Sequence, residues 1–538
     1  MSLPPILHLP VELLSQITAC LPNSSIKSLR LTCRFLSNAC PFRLSRIFLS
    51  PHPTNISVFL EIAAHPTLRT RIKEIIWDDA LLLPYISANH YANEYAFDHA
   101  SCPDPLRSDD PAFAARRASL WGSATTPPMN AMTALNVYRT SYLAPQAAVI
   151  ATDADVAALR TGLRAFPNLS RVAVTADAWG PCWLAPKHET PLFRAMSQGF
   201  WMPLPRAWHG DVVERHRRNA SVGMAVAGDQ WDWEMHLARP WDQERACFRG
   251  YRVLIGELLA LHAEKPSHAV REFVVDVGRA CNGLHHALFA APHESAGDFL
   301  VGVRLFASVP LTRLDLAINA YCAQAMYHGA VPSPWHCFGP DLRRALEGLG
   351  GALRHFALAS TFVSAQDRDA SYLTEELPAV LDEWLPVERW PHLESLGLAR
   401  LVVDTDALLR LLGALPAGSI KKVELDTLAP STSMWDLMWR LRREVVRADG
   451  GGWTEEHPRV VFMEEMPQPT SFPGIPRRLS ALVDEEVNDF LYQDSAEEDA
   501  GKGVPCPFDT DRRPVGISDG VWYVVDAYDP DWRVPDRI

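Results

Sequence analysis

Apolar residues near the start of the chain recur with the period of an α-helix. A first apolar stripe comprises Leu13, Leu14, Ile17 and Leu21. Pro10 fits the first turn of this helix, where its missing N–H is not needed, and Pro22 with Asn23 ends it. The stripe therefore predicts a short amphipathic helix before residue 22.

The next residues predict a second helix, which Ser24 or Ser25 can cap. Its apolar face comprises Ile26, Leu29, Cys33 and Leu36. Arg30 and Arg34 lie one turn apart on a more polar face, and a third short helix is expected after Pro41, through Leu44, Ile47 and Phe48. Helices this short bury little core alone, so we expect them to need a partner or a following domain.

A six-residue pattern recurs further along: apolar, two variable, apolar, one variable, apolar. The seven windows are Ile72-Ile75-Trp77, Leu169-Val172-Val174, Val270-Phe273-Val275, Leu311-Leu314-Leu316, Leu353-Phe356-Leu358, Leu393-Leu396-Leu398 and Ile420-Val423-Leu425. The last two apolar positions of each window alternate as in a β-strand. Each window therefore predicts one buried strand.

Helical stretches precede several of these windows. Asp153 can cap a helix that ends before Pro167, and Asp404 or Thr405 can cap one that ends before Pro416. From Phe273 onward, the central positions are spaced by 41, 42, 40 and 27 residues. The chain is thus predicted to be α/β, either a generic α/β domain or a repeat structure.

The N-terminal segment resembles the F-box, a helical module that docks a protein onto a Skp-type adaptor of a cullin ubiquitin ligase. The opening Leu-Pro-x-Glu is Leu9, Pro10 and Glu12, and the later stretch Leu-Arg-x-x-Cys-Arg is Leu29, Arg30, Cys33 and Arg34, followed one place early by Phe35. Two departures are Ser25, where an aspartate is common, and a missing tryptophan that Phe48 can replace. The resemblance covers less than a tenth of the chain.

The resemblance implies an all-helical F-box, followed by an irregular leucine-rich-repeat-like α/β solenoid as in F-box proteins of the fungal type. It also implies the residues that bind the adaptor. These are Leu9, Pro10, Glu12, Leu13, Ile17, Leu21, Ile26, Leu29, Arg30, Cys33, Arg34 and Phe35.

The predicted organisation has three parts: an F-box over residues 1–50, the repeat-like domain over 51–463, and an acidic, partly disordered tail over 464–538. Insertions are expected at about 78–150 and 176–268. The second insertion holds seven tryptophans, which suit either a packed layer or a recognition surface. In the tail, Leu479, Leu482, Val483, Val487, Phe490 and Leu491 predict an amphipathic helix, and Val521–Val525 a strand.

The composition of the chain disfavours several classes of function. The chain has 538 residues and a net charge of −13, which disfavours general nucleic-acid binding, whereas residues 1–50 carry +4 and suit an acidic protein partner. No run of eighteen apolar residues predicts a membrane span, and no signal peptide is recognised. Ten scattered cysteines without a C-x-x-C pair favour a reducing compartment, hence the cytoplasm or nucleus.

Candidate chemistry is weak. Gly516-Ile517-Ser518-Asp519-Gly520 matches a nucleophile elbow, but no histidine follows Ser518 to complete a triad. A cation could use Asp229, Asp232, Glu234 and His236, and Cys281 with His285 shares one helical face, but solvated or buried side chains explain both groups better. We expect no catalytic residue, metal or cofactor.

The leading hypothesis is therefore a binding protein without catalysis: the substrate-recognition subunit of a Skp–cullin–F-box ubiquitin ligase, whose target is unknown. An F-box scaffold without a role in degradation is the alternative. A serine hydrolase that uses Ser518 is a remote third possibility.

Overall fold

The computed structural model describes much of the chain, in segments. These are residues 5–21, 23–40, 44–82, 129–176, 178, 190–196, 245–275, 283–290, 296–319, 334–360, 378–426, 428–447, 453, 457–465, 480–483, 485–492, 506–508, 522–525 and 533–536. No helix within these segments is long and apolar enough to cross a bilayer.

Three short helices open the chain. They are α1 (Val11–Ala19), α2 (Asn23–Thr32) and α3 (Arg34–Ala39), after a 3-10 turn at Pro5–His8. The single helix predicted for the second stripe is thus divided at Cys33, whose backbone is extended (φ −160°, ψ 164°). Residues 5–40 are called the N-terminal helical module below.

Fifteen strands occur in the described segments. They are β1 (Arg46–Leu49), β2 (Glu74–Asp78), β3 (Arg171–Thr175), β4 (Glu272–Val275), β5 (Leu284–His285), β6 (Arg313–Asn319), β7 (His355–Ser360), β8 (Ser395–Ala399), β9 (Val402–Val403), β10 (Lys422–Asp426), β11 (Ala429–Pro430), β12 (Arg459–Glu465), β13 (Ser480–Val483), β14 (Trp522–Val525) and β15 (Arg533–Asp536).

Most of these strands form one large parallel sheet, in the order β1-β2-β3-β4-β6-β7-β8-β10-β12, with β5 beside β6 and the antiparallel β13 beside β12. All seven predicted windows form strands of this sheet. Their 21 apolar positions are at most 3% exposed. The chain is therefore a mixed α/β protein built around a large parallel sheet. The α/β class and the buried strands predicted from the windows are confirmed.

The third predicted helix is wrong, because Arg46–Leu49 is the strand β1 and pairs with β2. The residues Leu44, Ile47 and Leu49 obey the same six-residue spacing as the other windows, and Ile47 lies opposite Ile75. A short apolar run is compatible with either a helix or a strand. Here the pairing with β2 makes it a strand.

A repeated hydrogen-bond pattern sets the register where the strands begin. One backbone carbonyl accepts from two successive N–H groups of the next strand in the chain: the Lys73 carbonyl accepts from Ser170 and Arg171, and the Ser170 carbonyl from Arg271 and Glu272. The carbonyls of Ser45, Arg271, Thr312, Arg354 and Glu394 do the same. Strands separated by very different lengths of chain thus start in one alignment.

The helices of the sheet region are α4 (Pro53–Ala64), α5 (Ala131–Val137), α6 (Ala144–Thr152), α7 (Ala154–Ala165), α8 (Pro191–Arg194), α9 (Arg249–Glu264), α10 (Ala287–Ala290), α11 (Ala296–Ser308), α12 (Pro334–Leu346), α13 (Leu381–Trp384), α14 (Thr405–Gly413), α15 (Met434–Arg440) and α16 (Glu485–Tyr492). Tyr138–Leu143 and Leu441–Val446 are π-helical, and Arg69–Arg71 and Val387–Arg389 are 3-10 turns.

These helices also pack in chain order. Contacts link α4 to α7, α7 to α9, α9 to α11, α11 to α12, α12 to α13 and α13 to α14. Their apolar faces and the inward rows of the sheet share one core, to which Phe59, Leu163, Leu258 and Leu411 belong. Burying each side chain of this size stabilises the fold by about 1.5–3 kcal/mol.

The predicted caps differ in outcome. The Asp404 carboxylate accepts from the Ala407 N–H at 2.8 Å and caps α14, as expected. Asp153 precedes α7 but makes no side-chain cap. Its backbone is left-handed (φ 51°), a conformation that aspartate tolerates, and its carboxylate accepts from Arg249 Nη2 at 2.6 Å.

Buried carboxyl groups hold the start of α9. Asp79 Oδ1, just beyond β2, accepts from the Gly250 N–H at 2.6 Å. Arg249 forms an ion pair with the fully buried Asp155 on α7. Burial raises the pKa of Asp79 to about 8, an effect that the Gly250 hydrogen bond and the charge of Arg249 only partly offset. These contacts fasten α9 to the end of β2 and to α7.

The structure describes short segments of the predicted tail. Residues 480–483 form β13, not the first half of a helix, while the second half is the helix α16, with Val487, Phe490 and Leu491 buried as predicted. The predicted strand near Val521–Val525 is β14, which pairs with β15. The tryptophan-rich part of the second insertion lies outside the described residues.

Candidate protein-docking surface

Helix α1 has apolar side chains on two faces. Leu14 and Thr18 are 1% and 5% exposed and point into the N-terminal helical module. Leu13 and Ile17, one helical turn apart, are 44% and 41% exposed. A helix that packs on a single core needs only one apolar face, so the outer pair marks a surface suited to a protein partner.

The inner face of the module is a small core of its own. Leu14, Ile26, Leu36 and Cys40 are at most 3% exposed. Partly buried residues surround them: Ile6, Leu7, Leu9, Leu21, Leu29, Cys33 and Ala39. This core fixes the three helices relative to one another, which gives the outer apolar residues a defined position.

Further exposed apolar residues lie on the same module. Val11 is 53% exposed on α1, Leu31 is 77% exposed on α2, and Phe35 is 42% exposed on α3. Together with Leu13 and Ile17, these are five of the nine large exposed apolar side chains in the described residues, although the module is a small fraction of the chain. We call these five residues the apolar docking patch.

The predicted site residues fall into three groups. Six are at the surface: Pro10, Glu12, Leu13, Ile17, Arg34 and Phe35. Five are half-buried: Leu9, Leu21, Leu29, Arg30 and Cys33. Ile26 is fully buried, so its side chain supports the module from inside. Val11 and Leu31 were not predicted, because both lie off the stripes that periodicity selects.

Arg30 has an internal structural contact. Its Nη1 donates to the Cys40 carbonyl at 2.9 Å and to the Ser37 carbonyl, both at the end of α3. A guanidinium at a helix C-terminus neutralises the partial negative charge of the free carbonyls. Arg30 therefore joins α2 to α3.

The positive charge of the first fifty residues is only partly available to a partner. Lys27 and Arg34 are exposed. Arg46 pairs with Glu74 at 2.5 Å, and Arg30 serves the helix end. Arg43 lies outside the described residues. The exposed basic residues of the module, within its described part, are thus Lys27 on α2 and Arg34 on α3.

A second candidate surface is the sheet face opposite the main core. A row of neighbouring residues at the strand starts alternates in charge: Arg46, Glu74, Arg171 and Glu272, with ion pairs of 2.5, 3.6 and 2.6 Å. On β6, burial acts to raise the pKa of Asp315, but hydrogen bonds from His355 and Arg313 outweigh it and lower that pKa. This row is largely neutralised within itself.

Most of the other candidate chemistry falls on residues that the structure does not describe. Ser518, Cys281 and the cluster Asp229, Asp232, Glu234 and His236 all lie outside the described residues. The prediction that His285 lies on the surface of a helix is wrong, because His285 is buried on the strand β5. It stacks with His286, their ring centroids 4.6 Å apart. No group of three or more potential metal ligands occurs within the described segments.

Comparison of this chain with models of known protein families and with curated proteins finds no match. The function is therefore argued from the residues and geometry of this chain.

Proposed function

We propose that this chain is a substrate receptor of a Skp–cullin–F-box ubiquitin ligase and has no catalysis of its own. The N-terminal helical module docks onto the Skp-type adaptor, and the sheet region holds a target protein. The observation that carries the proposal is the second apolar face of α1, where Leu13 and Ile17 are exposed on a helix whose inner face already has a core.

Charge and shape support the docking step. Large, partly exposed apolar residues beside Lys27 and Arg34 suit a partner that is apolar at the centre of the interface and acidic at its rim. The resemblance of Leu9-Pro10-x-Glu12 and Leu29-Arg30-x-x-Cys33-Arg34 to the F-box is what names the Skp-type adaptor as that partner.

The arrangement of the sheet supports an irregular leucine-rich-repeat-like solenoid for the rest of the chain. The strands of the main sheet, and the helices that pack on it, follow one another in chain order with some elements skipped. The same carbonyl hydrogen-bond pattern recurs where the strands begin. In such a solenoid each unit contacts its neighbours, and the continuous sheet offers a long surface for a target.

The receptor acts by raising the effective concentration of the target near the conjugating enzyme. A target held by the sheet region is fixed near a ubiquitin-charged conjugating enzyme, so transfer to a target lysine becomes nearly intramolecular. The complex works in the cytoplasm or nucleus. A scaffold that binds the adaptor without cullin is the alternative arrangement.

Co-purification with a Skp-type adaptor tests the docking step. Leu13→Asp with Ile17→Asp places charge in the apolar docking patch and leaves the inner core intact, and we expect at least about a 30-fold loss of affinity, as for removing one hot spot. Leu60→Asp with Leu300→Asp is the matched control, because these residues are 37% and 40% exposed on α4 and α11. The control should bind as tightly as the wild type.

Equal binding by the two double variants, or no recovery of adaptor by the wild type, contradicts the proposal. Recovery of cullin with the adaptor supports a ligase receptor. Recovery of the adaptor without cullin supports the scaffold.

A further inference from the structure

The chain is poor in lysine and rich in arginine. Its 51 basic residues include only seven lysines: Lys27, Lys73, Lys187, Lys265, Lys421, Lys422 and Lys502. Lysine is ordinarily among the commonest residues. No lysine occurs between Lys265 and Lys421, a stretch that contains strands β4 to β8 with their helices.

Lysine and arginine differ in the chemistry of ubiquitin transfer. A neutral lysine ε-amine attacks the thioester carbonyl that joins ubiquitin to the conjugating enzyme. The C–S bond breaks, the cysteine thiolate leaves, and the nitrogen forms an amide after losing a proton. An arginine guanidinium stays protonated and delocalised at any physiological pH, so it does not act as this nucleophile.

Three of the five described lysines lie beside the predicted interface or pair with a carboxylate. Lys27 lies on α2 one helical turn before Leu31 of the apolar docking patch, so the proposed adaptor would cover it. Lys421 Nζ pairs with Glu394 at 2.8 Å, and Lys422 Nζ pairs with Glu424. Lys73 and Lys265 are exposed.

Some arginines make hydrogen bonds whose geometry a lysine cannot match. Arg160, for example, donates from both Nε and Nη2 to Glu257, at 2.7–2.9 Å, which a lysine cannot reproduce. Arg69, Arg304 and Arg389 are exposed surface residues where lysine would supply the same charge. Arginine at such positions keeps the surface charged without offering an amine.

We propose that the receptor is built to escape modification by the ligase that it serves, an inference that rests on the proposed function. The sheet region is held near the charged conjugating enzyme together with the target, so every exposed lysine there competes with the target. Arginine in place of lysine directs ubiquitin to the target and prolongs the life of the receptor.

The test uses the full chain in a complex reconstituted with adaptor, cullin, its RING subunit and a ubiquitin-charged conjugating enzyme. The variant Arg69→Lys, Arg304→Lys and Arg389→Lys adds three amines without changing charge. We expect its self-ubiquitination to rise about twofold or more, with ubiquitin found on the introduced lysines by mass spectrometry. The control Arg69→Gln, Arg304→Gln and Arg389→Gln should match the wild type.

Equal self-ubiquitination of the wild type and the lysine variant, with adaptor and cullin bound to both, overturns this inference alone. Heavy wild-type modification at Lys27, Lys421 or Lys422 also overturns it. Failure to recover the adaptor is seen before the conjugating enzyme is added, and it overturns the proposed function together with this inference.

Discussion

The side-chain amide of Asn488 pairs with both backbone groups of Val460. Its Nδ2 donates to the Val460 carbonyl at 2.9 Å, and its Oδ1 accepts from the Val460 N–H at 2.9 Å. Asn488 lies on α16, and Val460 lies on β12. Val460 lies beyond the part of β12 that pairs with β13, and here the Asn488 side chain makes the hydrogen bonds that another strand would make. These bonds shield this part of the edge of β12 from pairing with other chains.

Replacing Asn488 should destabilise the C-terminal end of the sheet. Asn488→Asp keeps the acceptor but loses the Nδ2 donor, which leaves the Val460 carbonyl without this partner. We expect a loss of about 1–3 kcal/mol in the free energy of unfolding, measured by denaturant titration. Asp489→Ala, an exposed site on the same helix, serves as the control and should change stability by less than about 0.5 kcal/mol.

The stability of the fold should depend on pH through Asp79. Because its pKa is raised to about 8, the folded chain keeps a proton that the unfolded chain loses near pH 4. Stability should therefore fall as pH rises between these values, by about 1.4 kcal/mol per pH unit for this one group. Asp79→Asn keeps the acceptor for the Gly250 N–H and removes the titration.

Thermal unfolding of both proteins at pH 5, 6, 7 and 8 measures this effect. The wild type should lose stability relative to Asp79→Asn as pH rises. Parallel stability curves for the two proteins would show that Asp79 does not titrate in this range. Asp78 and Arg249 face the same site and are unchanged in both proteins, so their contributions cancel in the comparison.

Gly162 allows α7 to pack closely on α4. A Cβ at this position would lie 2.3 Å from Phe59 Cζ and 2.9 Å from Phe166 Cε2. Gly162→Ala should therefore destabilise the fold by about 1–3 kcal/mol, in spite of the better helix propensity of alanine. Phe59→Leu combined with Gly162→Ala should show a smaller loss than the sum of the two single changes.

The matched control for Gly162 is Gly256, in the middle of α9. A Cβ there meets no atom within 4 Å. Gly256→Ala should stabilise the fold by up to about 1 kcal/mol in the same denaturation experiment. Opposite signs for the two substitutions separate packing from propensity, whereas a shared sign would refute the close packing of α7 on α4.

Arg30 and Arg34 should affect adaptor binding in different ways. Arg34→Ala removes an exposed charge, so it should slow association and weaken the salt dependence of the association rate. Arg30→Ala removes the contact to the end of α3, so it should lower the stability of the N-terminal helical module and raise the dissociation rate. Binding kinetics at two salt concentrations distinguish these outcomes. Identical kinetic changes in both variants would contradict the separate roles.

Much of the sheet could be predicted from the sequence. The spacing of apolar residues located the strands. In every predicted window the last two apolar positions alternate and are buried, from Ile75 and Trp77 in the first window to Val423 and Leu425 in the last. Strand β1 was missed because its short apolar run is also compatible with a helix. Pairing between distant segments, which spacing does not encode, decides that case.

The candidate docking surface was harder to predict. Leu13 and Leu14 are neighbours in the sequence, yet one is 44% exposed and the other 1%. Helical periodicity shows that both are apolar, but it does not show which one meets α2 and α3. Arg30 likewise matched a motif, although its structural contact depends on the end of α3, which is decided by the break at Cys33.

Strands that are neighbours in the sheet can be close together or far apart in the sequence. Val172 lies opposite Phe273, 101 residues later, and Leu396 lies opposite Val423, only 27 residues later, with the same kind of pairing in both places. The entropic cost of closing a loop rises only with the logarithm of its length. Even a hundredfold longer connection between two strands would therefore add only a few kcal/mol to the free energy of closing that loop. The segments between strands can therefore grow, shrink or be exchanged while the sheet stays in register, which makes them the part of the molecule where new recognition surfaces are most easily gained.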